Sequence, residues 1–315
     1  MNVNKNLILL WILCLVFIVI AISYKLDTIK NQKEESISVD NSSIENTLET
    51  NPIFYENSDG TATTSTTNQT VKQPVKTSPI SAKSYLVGNV KNGEIYISKN
   101  SKTVLPVASM SKLITAIQSI DQFTMSGTTT VIKSDLTPPD LLTFETGETF
   151  SIEQALYPLL VNSSNVIAET LASTTDRNEF MNLMSSYAWE IGMPSTYFAD
   201  PSGISPMNIS SANDFFTLAK YLYNLRPEIL EITKTSKYII ATTTNHSYHE
   251  INSTHPFVNQ PNFLGGKTGK TPQAGETMLT ILNIKNIPIA FIVLGSTNRN
   301  KDTLYLIGEV NKILE

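Results

Sequence analysis

Three short clusters in this 315-residue chain carry side chains able to do chemistry together. The first is Ser109-Met110-Ser111-Lys112, set between Leu105-Pro106-Val107-Ala108 and Leu113-Ile114. The residues after Ser109 read as a helix, and an (i, i+3) offset brings Ser109 and Lys112 onto one face. A helix start disfavours an ammonium and favours an alkoxide, which pushes Lys112 toward the neutral amine that can take the serine proton. Backbone N–H groups at that end can also serve an oxyanion. Read alone, the cluster is more simply a capping serine and a solvated lysine. The second cluster, Ser163-Ser164-Asn165, opens Val166-Ile167-Ala168-Glu169-Thr170-Leu171-Ala172 and alone reads as a helix cap. The third is Lys267-Thr268-Gly269, preceded by Gly265-Gly266 and followed by an apolar strand at Met278. A lysine and a threonine hydroxyl on a strand edge can hold a carboxylate, and a glycine lets a bound peptide approach and pair there. Gly-Lys-Thr also occurs in phosphate loops, but those need a further glycine upstream, where Pro261 and Leu264 stand. Nucleotides are excluded as partners.

Composition narrows the chemistry further. A net charge of −5 argues against nucleic acid, which needs a basic surface. The single cysteine, Cys14, lies in an apolar run, so no intrachain disulfide and no cysteine zinc site can form. His246, His249 and His255 are neighbours in a Thr- and Asn-rich stretch and read as solvated loop residues, with no metal site. A histidine-based triad spread over the fold is ruled out. An enzyme built from this chain works largely without histidine.

The elements that must position these clusters follow from periodicity. Every residue from Leu7 to Ile22 is apolar and nearly spans a bilayer core, so residues 1–24 are expected to be an N-terminal membrane anchor or a cleaved leader. Residues 25–80, rich in Ser and Thr, read as a flexible tether. The folded domain is expected over 81–315. Tyr85-Leu86-Val87 and Ile95-Tyr96-Ile97 flank Asn92-Gly93, which predicts a hairpin with a type I′ turn. Asp176 with Glu179 predicts a helix start, followed by Phe180, Leu183, Met184, Tyr187, Ala188 and Ile191 on one face and a stop at Gly192. Trp189 falls on that helix as core or flank. Ser211 with Asp214 opens another helix that ends before Pro227. Met278–Leu282 and Ile289–Leu294 read as paired strands around Lys285-Asn286, ahead of a last helix carrying Leu306, Ile307, Val310, Ile313 and Leu314. This order predicts an α+β fold: an antiparallel sheet built from both ends of the domain, with packed helices and a helical subdomain.

The three clusters in this order are far more specific than any one, and together they mark penicillin-binding proteins and class A β-lactamases. From about Ser81 to its end, the chain resembles the low-molecular-weight penicillin-binding proteins, the serine D-alanyl-D-alanine carboxypeptidases. The resemblance includes Phe144-Glu145-Thr146-Gly147-Glu148 and Ala155-Leu156-Tyr157-Pro158-Leu159-Leu160-Val161. It continues through Ile191-Gly192-Met193, Asp200-Pro201-Ser202-Gly203 and Lys267–Thr271 with Ala274-Gly275. The resemblance implies acyl transfer on a peptidoglycan stem peptide at the outer face of the cell membrane, with no metal or organic cofactor and with β-lactams as covalent inhibitors. It implies Ser109 as nucleophile, Lys112 as its base, and Ser163 with Lys267 as a proton relay to the leaving amine. Asn165 would hold the substrate backbone, Lys267 and Thr268 its carboxylate, and the backbone N–H groups of Ser109 and Lys270 the oxyanion.

Some positions depart from the family. Ser164 stands where Gly or Ala is common, Val166 replaces a frequent Asp, and Lys270 an often aromatic or His position. With 46 residues after Gly269 (315 − 269), the frequent C-terminal β-rich domain and its terminal anchor are not expected. A β-lactamase needs a Glu on a loop after the Ser-x-Asn cluster, whereas Glu169, Glu179 and Glu190 all fall in helical patterns. Slow penicillin turnover is therefore expected. A DD-endopeptidase opening cross-links, and a non-catalytic wall-binding or β-lactam-sensing module, are the other readings.

Overall fold

The computed structural model describes residues 80–315. The apolar run at 7–22 and the tether expected after it, up to residue 79, lie outside the described residues. Among the described residues no helix is long and apolar enough to cross a membrane.

The chain opens with β1 (Ser84–Asn89) and β2 (Ile95–Lys99), then β3 (Leu105–Pro106), a 3-10 turn over Ala108–Ser111, and α1 (Lys112–Phe123). Strands β4 (Thr128–Thr130) and β5 (Thr149–Ser151) pair and frame a long loop. A helical block follows: α2 (Ile152–Tyr157), a wide π-type turn over Pro158–Asn162, α3 (Asn165–Ala172) and α4 (Arg177–Glu190). After β6 (Ile209–Ser210), which pairs with β3, come α5 (Ala212–Leu225) and α6 (Pro227–Thr233). The hairpin β7 (Lys237–Ile240) and β8 (His249–Asn252) leads to β9 (Phe263–Thr271), β10 (Gly275–Ile284), β11 (Ile287–Ser296) and α7 (Arg299–Ile313).

Five strands form one antiparallel sheet in the order β2-β1-β11-β10-β9, so the two ends of the domain pair directly, with Leu86 opposite Ile292. The uninterrupted apolar run of β11 explains why both faces are covered. Side chains alternate across a strand. Ala290, Ile292 and Leu294 join a cluster with Leu86, Leu279 and Phe215, and Phe291 and Val293 join another with Met278, Leu306 and Val310. The expected α+β architecture is the one observed. β9 is left as an edge strand.

Local details differ from the sequence expectations. The β1–β2 hairpin is present, but its loop is wider than a two-residue turn: Asn89 N–H donates to Glu94 O at 2.8 Å, and Gly93 alone takes positive φ. The tight turn with positive φ at both central residues is Lys285-Asn286, between β10 and β11. In α4, Asp176 caps as expected, and Phe180, Met184 and Ala188 are buried, while Leu183 and Trp189 stand at the surface. Leu183 and Trp189 each neighbour a buried residue, Met184 and Ala188, and so point about 100° round the helix from the buried face. α5 begins at Ser211, whose hydroxyl accepts from Asp214 N–H.

The histidines are buried, contrary to the solvated reading, because the β7–β8 hairpin folds back onto the long loop. His249 Nε2 lies 2.9 Å from Glu148 Oε1, which also accepts from Ser247 N–H, and His246 stacks on Phe150. His255 lies beneath β9. Its Nδ1 accepts from Phe257 N–H at 3.3 Å, which leaves Nε2–H to donate to Leu279 O at 3.2 Å. Burial pushes this imidazole down to about 3, with Lys267 and Arg299 adding to the shift and the Leu279 carbonyl opposing it. The folded state therefore holds His255 neutral where the unfolded chain, with a pKa of about 6.5, binds a proton. Its contribution to stability is complete above pH 6.5 and is lost as pH falls toward 3. His255→Gln keeps an acceptor and a donor without titrating. It is expected to flatten the fall of unfolding free energy in urea between these two pH values, and an unchanged slope would place the acid sensitivity elsewhere.

Candidate active site

The first cluster is shaped by its neighbours rather than by helix propensity. Val107 N–H donates to Asn208 O at 2.9 Å and Val107 O accepts from Thr277 Oγ1 at 2.9 Å, which pins the chain before the turn. Ala108 then takes φ +51°, a left-handed conformation that costs an alanine free energy and persists only when its surroundings impose it. Ser109 sits in the 3-10 turn that follows, and Lys112 is the first residue of α1.

Lys112 is completely buried, and its Nζ has three partners: Ser109 Oγ at 3.0 Å, Asn165 Oδ1 at 2.8 Å, and the Ser202 carbonyl. No carboxylate touches it among these. Burial pushes the amine down to about 7, against the opposing fields of Asp200, Asp140 and Glu169. The orientation of Asn165 follows from its other end, where Nδ2 donates to Pro139 O at 2.6 Å, leaving Oδ1 to face Lys112. Both Asn165 Oδ1 and Ser202 O can only accept. A neutral Lys112 spends its two hydrogens on them and directs its lone pair at the Ser109 hydroxyl. That is the arrangement of a nucleophile and its base.

The second cluster divides its labour differently from a simple cap. Ser164 is the N-cap of α3, accepting from Ile167 N–H at 3.1 Å. Ser163 instead ends the wide turn, at φ +69° and ψ 34°, a second non-glycine residue in the left-handed region beside the site. Lys267, from β9, donates to Ser163 Oγ at 2.8 Å and to Thr268 O at 2.9 Å. It is also buried, and its pKa lies well below that of a free lysine because of that burial, with Lys112 and Arg299 adding repulsion.

These groups converge on one crevice of about 310 Å³. Ser109, Ser163, Asn165, Thr268, Gly269 and Lys270 line it, together with Pro139–Leu141, Asn162, Thr254 and Arg299. Lys270 points its ammonium to Glu276 at 3.0 Å, away from the reacting groups and largely in solvent. Thr254 shares a hydrogen bond with Thr268 at 3.0 Å. All the residues expected from the sequence are brought together. The Ser202 carbonyl, Pro139 and Arg299 were not singled out, because their roles come from loops and a helix start that arrive from elsewhere in the chain. Arg299 donates to Gly269 O at 2.7 Å and leaves a guanidinium at the crevice wall.

The protein's own packing also requires a glycine at 269. A Cβ there would lie 2.9 Å from Ser109 N, 2.9 Å from Ala108 Cβ and 2.6 Å from Thr277 Oγ1. The missing side chain makes room for the nucleophile turn of this protein itself. Gly269→Ala is expected to cost about 1–3 kcal/mol in overpacking and to displace Ser109. The expected result is a modest fall in melting temperature with at least a tenfold fall in penicillin acylation rate, both measurable on the same sample.

The sequence pattern of the D-alanyl-D-alanine carboxypeptidase family matches residues 67–298. A D-alanyl-D-alanine endopeptidase of Haemophilus influenzae is 29% identical over 69% of this chain and 76% of that protein. A D-alanyl-D-alanine carboxypeptidase of Bacillus subtilis is 24% identical over 74% of this chain and 61% of that one. Among solved structures, penicillin-binding protein D2 of Listeria monocytogenes in its cefotaxime-bound form superposes with a TM-score of 0.63 at 27% identity, covering 73% of this chain and 96% of that one.

Proposed function

Because the chain belongs to the D-alanyl-D-alanine carboxypeptidase family, we infer that this crevice removes the terminal D-alanine of peptidoglycan stem peptides through an acyl-enzyme. The observation that carries the chemistry is the buried Lys112 Nζ 3.0 Å from Ser109 Oγ, with two other partners that can only accept. Ser109 Oγ attacks the penultimate D-Ala carbonyl as Lys112 takes its proton. The backbone N–H groups of Ser109 and Lys270 receive the oxyanion; Gly269 sets these two segments against each other. Lys267, through Ser163, delivers a proton to the departing amine. Lys267 and Thr268 hold the terminal carboxylate, with the Arg299 guanidinium beside them at the crevice wall. The stem pairs along the free edge of β9 beside Asn165. Water then releases the shortened peptide.

β-Lactams acylate the same serine, in keeping with the cefotaxime- and ampicillin-bound forms of the Listeria protein. Glu169 is clasped by Arg177 through two contacts, at 2.7 and 3.1 Å, and is not poised to activate water. Slow release of the penicilloyl group follows. Such a substrate places the domain outside the cytoplasm, held at the membrane by the apolar run at 7–22 or released if that run is cleaved. The relatives named endopeptidases favour a second activity on cross-linked stems. Mass analysis of defined muropeptides separates the two. Loss of one alanine is expected, conversion of dimers to monomers would assign the endopeptidase, and no change would leave only a binding module.

A further inference from the structure

The long loop between β4 and β5 carries a segment, Thr137-Pro138-Pro139-Asp140-Leu141-Leu142, that reaches the start of α3 and forms one lip of the crevice. Asp140 fastens it. Its Oδ2 accepts from Ser164 Oγ at 2.6 Å and from Val166 N–H at 2.8 Å, and its Oδ1 accepts from Leu142 N–H at 3.0 Å. Ser164 in turn accepts from Ile167 N–H, so one carboxylate and one hydroxyl satisfy two donors of the first helical turn, those of Val166 and Ile167. This frees Asn165 from capping. A carboxylate thus reaches the first turn of α3 from outside the helix.

We propose that Asp140 is a positioning residue, which locks the 137–142 segment onto α3 so that the Pro139 carbonyl holds the Asn165 amide with its oxygen on Lys112. This rests on the acyl-transfer reading above and extends it to a residue whose own hydrogen bonds go to Leu142, Ser164 and Val166 and not to Ser109 or Lys112. If the lock opens, Asn165 loses the acceptor at 2.6 Å that fixes its orientation, and an amide turned round would present N–H groups to Lys112. The lone pair of the amine would then have a competitor for Ser109. Charged groups face Lys112 from each neighbouring element: Asp140 from the loop, Asp200 from the segment after α4, Glu169 from α3, and Lys267 from β9. The negative charge of Asp140 favours the ammonium, so its removal moves the acid limb of acylation to lower pH.

The test is the second-order rate of acylation by a fluorescent penicillin as a function of pH, normalised to titratable Ser109 sites. It compares the full-length protein with Asp140→Ala, Asp140→Asn and Ser164→Ala. Asp140→Ala is expected to slow acylation about 10–100-fold, the scale of a small misplacement of reacting groups. Asp140→Asn keeps an oxygen that can accept from Val166 and Ser164, so it retains most of the rate. Both should shift the acid limb to lower pH, which a general loss of folding would not do. Should Asp140→Ala fail to fold, the limb shift in Asp140→Asn and a slowed rate with an unmoved limb in Ser164→Ala decide the matter. Wild-type rate per site in Asp140→Ala, or an unmoved limb in Asp140→Asn, overturns the proposal. A wild-type protein that is never acylated would instead count against the acyl-transfer reading.

Discussion

Replacing Lys112 with methionine is expected to slow acylation of Ser109 by about 10²–10⁴-fold, the range over which a positioned base contributes. Methionine fills the same buried space without an amine, so the change removes the base and leaves little cavity. The effect should be visible in the pH profile as well as in the rate. In the native protein the amine, held near 7 by its burial, must lose its proton before its lone pair can face Ser109. Acylation should therefore climb as pH rises through about 7, and the Lys112→Met protein should lack that limb. Rapid-mixing measurements with a chromogenic cephalosporin would show both. A limb that survives the substitution would mean that another group takes the serine proton, with Lys267 the nearest candidate through Ser163.

Ser109→Ala should have the larger effect on turnover, a loss of roughly 10⁴–10⁶-fold, as for nucleophiles in other serine hydrolases. The substitution deletes one oxygen from a half-buried position. Lys112 keeps Asn165 Oδ1 and the Ser202 carbonyl as partners, so the melting temperature should scarcely move. Intact-mass spectrometry after exposure to benzylpenicillin should show the penicilloyl adduct on the native chain and none on the variant. An adduct that persists in Ser109→Ala would remove this serine from the nucleophile's role and with it the assignment of the whole crevice.

The chemistry of the site could be read from residue types at short range. Ser109 with Lys112, Ser163 with Asn165, and Lys267 with Thr268 are local pairings, and local spacing survives folding because helices and strands hold neighbours in fixed relation. The pairing of β10 with β11 was equally legible, since two apolar runs flank the polar Lys285-Asn286. The reason for Gly269 was not. Nothing in its own strand announces that the nucleophile turn approaches within 2.9 Å of where its side chain would begin. The three histidines misled for the same reason: a polar stretch looks solvated until Glu148, Phe150 and β9 close over it.

What the sequence by itself determined was which groups meet in the crevice, and that a sheet built from both ends of the domain stands beside them. What only the tertiary structure decided was the state of those groups. Lys112 leans neutral because desolvation in the packed fold outweighs the pull of Asp200, Asp140 and Glu169, and those carboxylates reach it from three separate segments. Ser163 and Ala108 hold left-handed backbone because surrounding contacts impose it, and Arg299 meets the crevice because α7 begins beside β9. Spacing along a chain specifies partners within a turn or two. Burial, field and strain are sums over everything that arrives in space, and they exist only once the chain has closed.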